Sequence, residues 1–477
     1  MLSPSASEKR ETFSLTVESD NAAAEIFLLD HQMKLIDRAI GSLHTQRPDG
    51  VYKVKLRLGR ETQEHMVLLD RDIELRPTLT FASPAPLNGS SRTHELHIAA
   101  AQNESTRVHV HRGSGASIFM LARYWTSPGY QDAIRFPHPG RGVQLVTATG
   151  DLIADLETDS VSDPRGDAWA ACTVELDRGA YLLRSSLGDG NVREQTIIAC
   201  SGWQSQVFLL RRAEPIIATD EGTQSAPREP SASLSVFMSR GGFDYRRPEN
   251  ALTEVTRLAL ADERFVLSSQ LRDILVGKFE NPMLGIFGAH LLLLGLVRRS
   301  RRDPRRDVTL QSRLDSVLQG IQFDGIVENL RSLVGERHPD VDALSLKCAD
   351  PGRWARGTVT VPPMLRASWS LLVEASNDDL DLVPLELWDR VQHMTAEQPF
   401  FTWFRERTSD APPIEQILRS AARPRATGSS SDVLPLKAAA PDADPDLCRR
   451  LSLKYDLPRP VVERALSPAL AVKTVSS

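Results

Sequence analysis

The sequence predicts a multidomain chain that is β first and α second. Two tandem small antiparallel β-sandwiches are followed by an α-helical domain and a short C-terminal helical hairpin. Three observations predict this. The apolar pattern alternates with period two before residue 214 and takes a helical period after residue 231. Low-complexity stretches at 214–231 and 423–444 punctuate the chain. Blocks of residues within 12–90 recur at matched spacing within 91–213.

Length and composition set the frame. A chain of 477 residues accommodates about three domains of ordinary size. With 41% hydrophobic and 25% charged residues, each domain can bury an ordinary core. A formal charge of −5 argues against the chain-wide basic surface that drives nucleic-acid binding. Four scattered cysteines, Cys172, Cys200, Cys348 and Cys448, make neither a disulfide framework nor a C-x-x-C zinc site. The N-terminus, residues 1–11, is polar, lacks the apolar stretch of a signal peptide and is expected to be disordered. Residues 283–297 carry no charged side chain but are shorter than the roughly 20 residues a membrane span needs, so they read as a buried core helix. The expected setting is cytoplasmic, with no membrane span.

The first expected sandwich occupies 12–90 and the second 91–213. Ile26-Phe27-Leu28-Leu29 with Leu35-Ile36 matches Val143-Gln144-Leu145-Val146 with Leu152-Ile153. Gly50-Val51-Tyr52 with Leu58-Gly59 matches Gly179-Ala180-Tyr181 with Leu187-Gly188. The second copy carries twelve more residues between these blocks, and each copy ends in an alternating strand, 66–75 and 195–210. Tyr52 and Val54 should face one way from their strand and Lys53 and Lys55 the other. A sheet with one apolar face must cover it with a second sheet, hence a sandwich. This pattern of apolar strand, turn, Leu, Gly-x-Tyr strand and Gly turn resembles the PEGA and carboxypeptidase-regulatory-like sandwich modules over roughly 12–80 and 106–212, without the Pro-Glu-Gly-Ala signature itself. The resemblance implies non-catalytic modules used for spacing and for binding other proteins.

The α-helical domain is expected over 232–422. Phe323, Ile326, Val327, Leu330, Leu333 and Val334 share one helical face, as do Leu310, Leu314, Val317, Leu318 and Ile321. Asn250 is a candidate cap with Glu254 early in its helix, and Asn281-Pro282 is a start signal. Further helices are expected near 366–376 and 413–422, with an aromatic, partly buried stretch at 382–404. Residues 445–470 read as two short helices broken at Leu457-Pro458-Arg459-Pro460, a hairpin on a tether suited to docking.

Candidate chemistry is sparse. His109 and His111 lie two apart and would share a strand face; with His94 and His97 they form the one cluster that could ligate a metal, against the plainer reading of a polar strand and loop end. Arg298, Arg299, Arg301, Arg302, Arg305 and Arg306 could grip an acidic partner surface, phosphates or anionic lipid, or simply be solvated beyond a buried helix. The P-loop, dinucleotide and nucleophile-elbow motifs are missing. No catalytic residue and no cofactor is implied.

The expectation is therefore a non-catalytic interaction or adaptor protein whose partner is another protein, with nucleic acid disfavoured. An accessory subunit of a bacterial effector, such as a protease or ATPase, is one setting. Its expected contact residues are the six arginines and the tail positions Leu447, Leu451, Leu453, Val461, Val462 and Leu466. The alternatives are a metal-dependent enzyme or binder using His94, His97, His109 and His111, and an anionic-ligand or nucleic-acid binder using the arginine run.

Overall fold

The computed structural model describes residues 11–19, 24–58, 61–77, 83–87, 92–108, 115–124, 137–164, 168–186, 191–211, 232–264, 279–302, 323–335, 337–350, 357–379, 381–391, 393–395, 398–405, 414–422, 445–455 and 457–466. The N-terminal part is β-rich, with several antiparallel sheets, and helices follow. The chain divides into two compact units, Met1–Leu183 with Ile197–His338, and Arg184–Thr196 with Pro339–Ser477.

In the first unit, seven strands come first: β1 (Thr12–Glu18), β2 (Glu25–Leu29), β3 (Leu35–Ile40), β4 (Ser42–Pro48), β5 (Gly50–Leu58), β6 (Glu61–Leu69) and β7 (Ile73–Leu75). They form two sheets, ordered β4-β1-β7 and β3-β2-β5-β6. β1 runs antiparallel to β4 and parallel to β7. Alternation does the sorting: Tyr52, Val54, Leu56 and Leu58 of β5 are buried, while Lys53 and Lys55 take the other face.

The same strand order then recurs. The strands are β8 (Ala116–Tyr124), β9 (Val143–Thr147), β10 (Leu152–Asp155), β11 (Val161–Ser162), β12 (Trp169–Leu176), β13 (Gly179–Ser186), β14 (Val192–Ala199), β15 (Gln204–Arg211) and β16 (Ala232–Ser239). β8 lies antiparallel to β12 and parallel to β15, and β10-β9-β13-β14 repeats the order β3-β2-β5-β6. The likeness reaches single hydrogen bonds. Asp30 N donates to Lys34 O (3.0 Å) and Thr147 N to Asp151 O (2.9 Å); Met33 N donates to Asp30 O (2.9 Å) and Gly150 N to Thr147 O (3.0 Å). Met33 and Gly150 both take positive φ, 60° and 103°. Ladder irregularities fall at equivalent places, between Leu28 and Leu29 opposite β3 and between Leu152 and Ala154 of β10.

Several elements differ from the sequence reading. The alternating stretches 66–75 and 195–210 are each two strands; the second is broken at Gly202, which has φ 77°. Residues 92–105 of the expected second sandwich are a helix, α1 (Arg92–Ser105), packed on β8 and β12. Residues 232–239, expected to open the helical domain, are β16, paired along its length with β15. The expected linker 214–231 lies outside the described residues, as does the expected helix at 310–321. Ala85, Leu87, Ala101, Phe119, Leu121, Ala171, Phe208, Phe237 and Phe243 make a core beneath α1.

Among the described residues, three further helices follow in the first unit: α2 (Pro248–Ala261), α3 (Pro282–Arg302) and α4 (Phe323–Val334). α2 begins at Pro248 rather than at Asn250, which is buried and donates through Nδ2 to Asp244 O (2.8 Å). Asn281 does cap α3, its Oδ1 accepting from Leu284 N (3.2 Å). Met283, Leu284, Ile286, Phe287, Leu291 and Leu292 of α3 are buried, and among the described residues no helix is long and apolar enough to cross a membrane. α4 buries Phe323, Ile326, Val327, Leu330 and Val334.

The second unit holds α5 (Pro339–Ser345), α6 (Arg366–Ala375), α7 (Leu385–Arg390), β17 (His393–Met394), β18 (Thr402–Arg405), α8 (Ile414–Ala422), α9 (Pro445–Tyr455) and α10 (Arg459–Leu466). β18 pairs antiparallel with β17 and with residues 192–195 of β14. Its aromatic stretch is a core: Trp369 stacks on Phe401 (4.8 Å) and meets Trp388 edge-on (4.9 Å).

Candidate functional site

Of the four histidines in the candidate cluster, only the side chain of His97 is among the described residues. His97 lies on α1, buried, and accepts at Nδ1 from Arg123 Nη1 (3.1 Å). His94 is on the same helix, with its side chain outside the described residues, as are His109 and His111 entirely. His97 is thus engaged in the interior by an arginine. Arg298, Arg299, Arg301 and Arg302 fall within the C-terminal turns of α3. Their side chains, and Arg305 and Arg306, lie outside the described residues.

The C-terminal helices are not a detached docking element. α10 packs on α8 and α9, burying Leu451, Val461, Val462 and Ala465, and Arg419 Nε donates to Ala465 O (3.1 Å). Leu447 and Leu466 are half-buried, and of the tail positions only Leu453 stands well out, 76% exposed. Amphipathic pattern alone could not tell packing within the chain from docking outside it.

Arg123 anchors a buried polar centre that sequence reasoning missed. Its guanidinium donates to the carbonyls of Pro84 (3.0 Å) and Ser83 as well as to His97. Burial pushes it down to about 9, opposed by the charge of Glu254, so it remains a cation at neutral pH. Burial pushes the Glu254 carboxyl up, but Arg257 and the hydroxyls of Ser235 and Ser83 pull it further down, leaving it below the usual carboxylate range. Arg257 Nη2 and Nε reach it at 2.7 and 2.9 Å, Ser235 Oγ at 2.7 Å and Ser83 Oγ at 3.0 Å. These groups are closed off and mutually satisfied, which suits fixing one packing arrangement. Burial raises Cys172 to about 11 and Cys200 to about 12, so neither serves as a thiolate at neutral pH.

The outer surface of the β3-β2-β5-β6 sheet differs in kind. Val51 lies across from Leu68, and Lys53 across from Met66. Met66 is 61% exposed, Leu68 59% and Val51 43%. Lys53 Nζ and Lys55 Nζ hold Glu64 at 2.6 and 3.6 Å. Farther along, Glu25 takes Arg38, Arg57 and Arg264, while the Arg38 and Arg57 guanidiniums each sit 4.9 Å from the Phe27 ring centre. Glu64 corresponds to Glu194: with Tyr52 set on Tyr181, Lys55 falls on Arg184, whose Nε reaches Glu194 at 2.7 Å. Met66 and Leu68 then correspond to Thr196 and Ile198, which are buried.

Neither a protein-family model nor a curated protein matches the chain. Among solved structures, the Bacillus anthracis TIE protein is 10% identical, covering 39% of this chain and 31% of that one, with a TM-score of 0.15. A bovine butyrophilin is 10% identical over 39% of this chain and 98% of its own, TM-score 0.11. A putative cell adhesion protein from Bacteroides eggerthii is 10% identical over 49% and 97%, TM-score 0.13. The chain thus spans about a third of the first of these, and likenesses of this size carry no argument about function.

Proposed function

We propose that the chain is a non-catalytic interaction protein of the adaptor type, built on two tandem β-sandwich modules, that engages a partner protein through the first of them. The observation that carries this reading is the contrast between equivalent positions. Met66 and Leu68 stand exposed where Thr196 and Ile198 are buried, and an apolar surface left open in one copy of a repeated module marks a place where another protein packs. Module resemblance to spacing and binding sandwiches supports the same reading. The arginines at 298–306 are a further contact for an acidic partner surface. The test is affinity capture from the native host with full-length protein and its Met66→Lys and Leu68→Lys variants. Loss of the same captured proteins from both variants, with unfolding transitions unchanged, is expected. Identical recovery with all three proteins overturns the reading.

A further inference from the structure

The two modules differ at one edge as well as on one face. In the second unit, residues 192–195 of β14 receive β18 antiparallel, with Gln195 opposite Thr402, Glu194 opposite Trp403 and Arg193 opposite Phe404. Trp403 Nε1 donates to Glu194 Oε2 (3.1 Å), and Arg405 Nη1 approaches Oε1 (3.7 Å). β6 is the equivalent strand of the first module and ends its sheet: among the described residues, no strand pairs with its outer side. An edge of nine residues presents main-chain donors and acceptors that a further strand satisfies. Glu64, the counterpart of Glu194, keeps 45% of its side-chain surface exposed where Glu194 keeps none.

We infer that β6 is the receiving edge for an antiparallel strand contributed by a partner protein, which sets an N–H-bearing aromatic side chain opposite Glu64 and an apolar side chain opposite Met66. This rests on the interaction reading above and names the kind of partner segment. By the β14–β18 register, the added strand places its equivalents of Thr402, Trp403 and Phe404 across from His65, Glu64 and Gln63. The residue two before the tryptophan falls on the same face, across from Met66. Glu64 is oriented for the indole N–H by Lys53 and Lys55, as Glu194 is by Arg184. Among the described residues β18 is the strand of this chemistry, and it is already paired with β14, so the proposed occupant is a strand of a separate protein.

The experiment uses the full chain and a fluorescently labelled peptide of residues 400–405, Phe-Phe-Thr-Trp-Phe-Arg, as the probe strand. Saturable binding by anisotropy is expected, weakened at least tenfold by Met66→Lys, by Glu64→Gln and by Trp→Ala in the peptide. Amide exchange within 61–69 should slow on binding, which contact through side chains alone would not produce. Absence of binding, or equal binding to the Met66→Lys protein, overturns the inference. So does a dimer of the full chain in sedimentation that Met66→Lys dissociates, because a second copy would then occupy the edge. If Met66→Lys abolishes capture of native partners while the peptide fails to bind, the strand inference falls and the interaction reading stands. If neither measurement responds, both fall.

Discussion

Tyr52 and Tyr181 each donate a hydroxyl hydrogen bond to the carbonyl four residues upstream, Tyr52 to Pro48 and Tyr181 to Asp177, both at 2.9 Å. Each tyrosine follows a glycine by two positions at the start of its strand, so the bond ties the strand to the turn that feeds it. A net hydrogen bond of this kind contributes about 1 kcal/mol. Tyr52→Phe and Tyr181→Phe should therefore each lower unfolding stability by roughly 0.5–1.5 kcal/mol, with additive effects because the sites share no partners. Urea unfolding of the two single variants and the double variant checks this. A double variant no worse than either single one would show that the bonds do not act independently.

The tyrosines were legible because they stand inside the repeated blocks, where Gly-x-Tyr and the spacing to Leu58 and Leu187 signal a strand and its turn. Helix α1 was not. Its buried positions include His97, Ala100, Ala101, Glu104 and Ser105, small or polar residues that leave no apolar stripe, so a helix could not be told from a polar strand. β16 directly follows a low-complexity stretch that read as the end of the β half, yet Leu234, Val236 and Met238 alternate along it. Of the candidate site, the exposed face was half visible. Alternation placed Lys53 and Lys55 outward, but nothing in the order of residues distinguishes Met66, open to solvent, from Thr196, its buried counterpart.

The Glu254–Arg257 pair should behave as a buried ion pair does when one partner is lost. Glu254→Gln leaves the Arg257 guanidinium, 7% exposed, without its carboxylate and should cost about 3–5 kcal/mol. Replacing both, as Glu254→Gln with Arg257→Met, should recover most of that loss, since it is the stranded charge that is expensive. Because Glu254 titrates below its ordinary value in the fold, its contribution is present above about pH 4.5 and is lost as pH falls through the folded value. Thermal unfolding of the single and double variants between pH 3 and 7 reads both effects. A double variant as unstable as the single one would refute the argument.

Gly140 is closed against its neighbours by backbone. A Cβ there would lie 2.2 Å from the carbonyl oxygen of Leu156 and 2.5 Å from its carbon, and Gly140 O already accepts from Val143 N (3.0 Å). Neither side can move without disturbing the approach to β9. Gly140→Ala should destabilise the first unit by about 1–3 kcal/mol, the usual range for an overpacked site. Gly179→Ala, where a Cβ meets nothing within 4 Å, serves as the control and should be close to neutral. Chemical denaturation that ranked the two variants alike would contradict this.

Asp340 should give the second unit a pH dependence of opposite sign to the Glu254 pair. Burial pushes its carboxyl up to about 6, against hydrogen bonds from the Ser368 hydroxyl and the main-chain N–H groups of Met364 and Leu365, both 3.0 Å away. A carboxyl whose folded value lies above the unfolded 3.8 binds its proton more tightly in the folded state. The stabilisation from protonation is therefore complete below about pH 3.8 and is lost as pH rises through about 6. At roughly 1.4 kcal/mol per pKa unit, the change across that window is on the order of 3 kcal/mol. Asp340→Asn removes the titration, so the difference in stability between pH 4.5 and pH 7 should shrink relative to the unaltered chain, whatever the variant's absolute stability. Fluorescence of the Trp369–Trp388 cluster, which lies in the same unit, follows its unfolding directly. An unchanged pH difference in the Asn variant would assign the dependence to other groups.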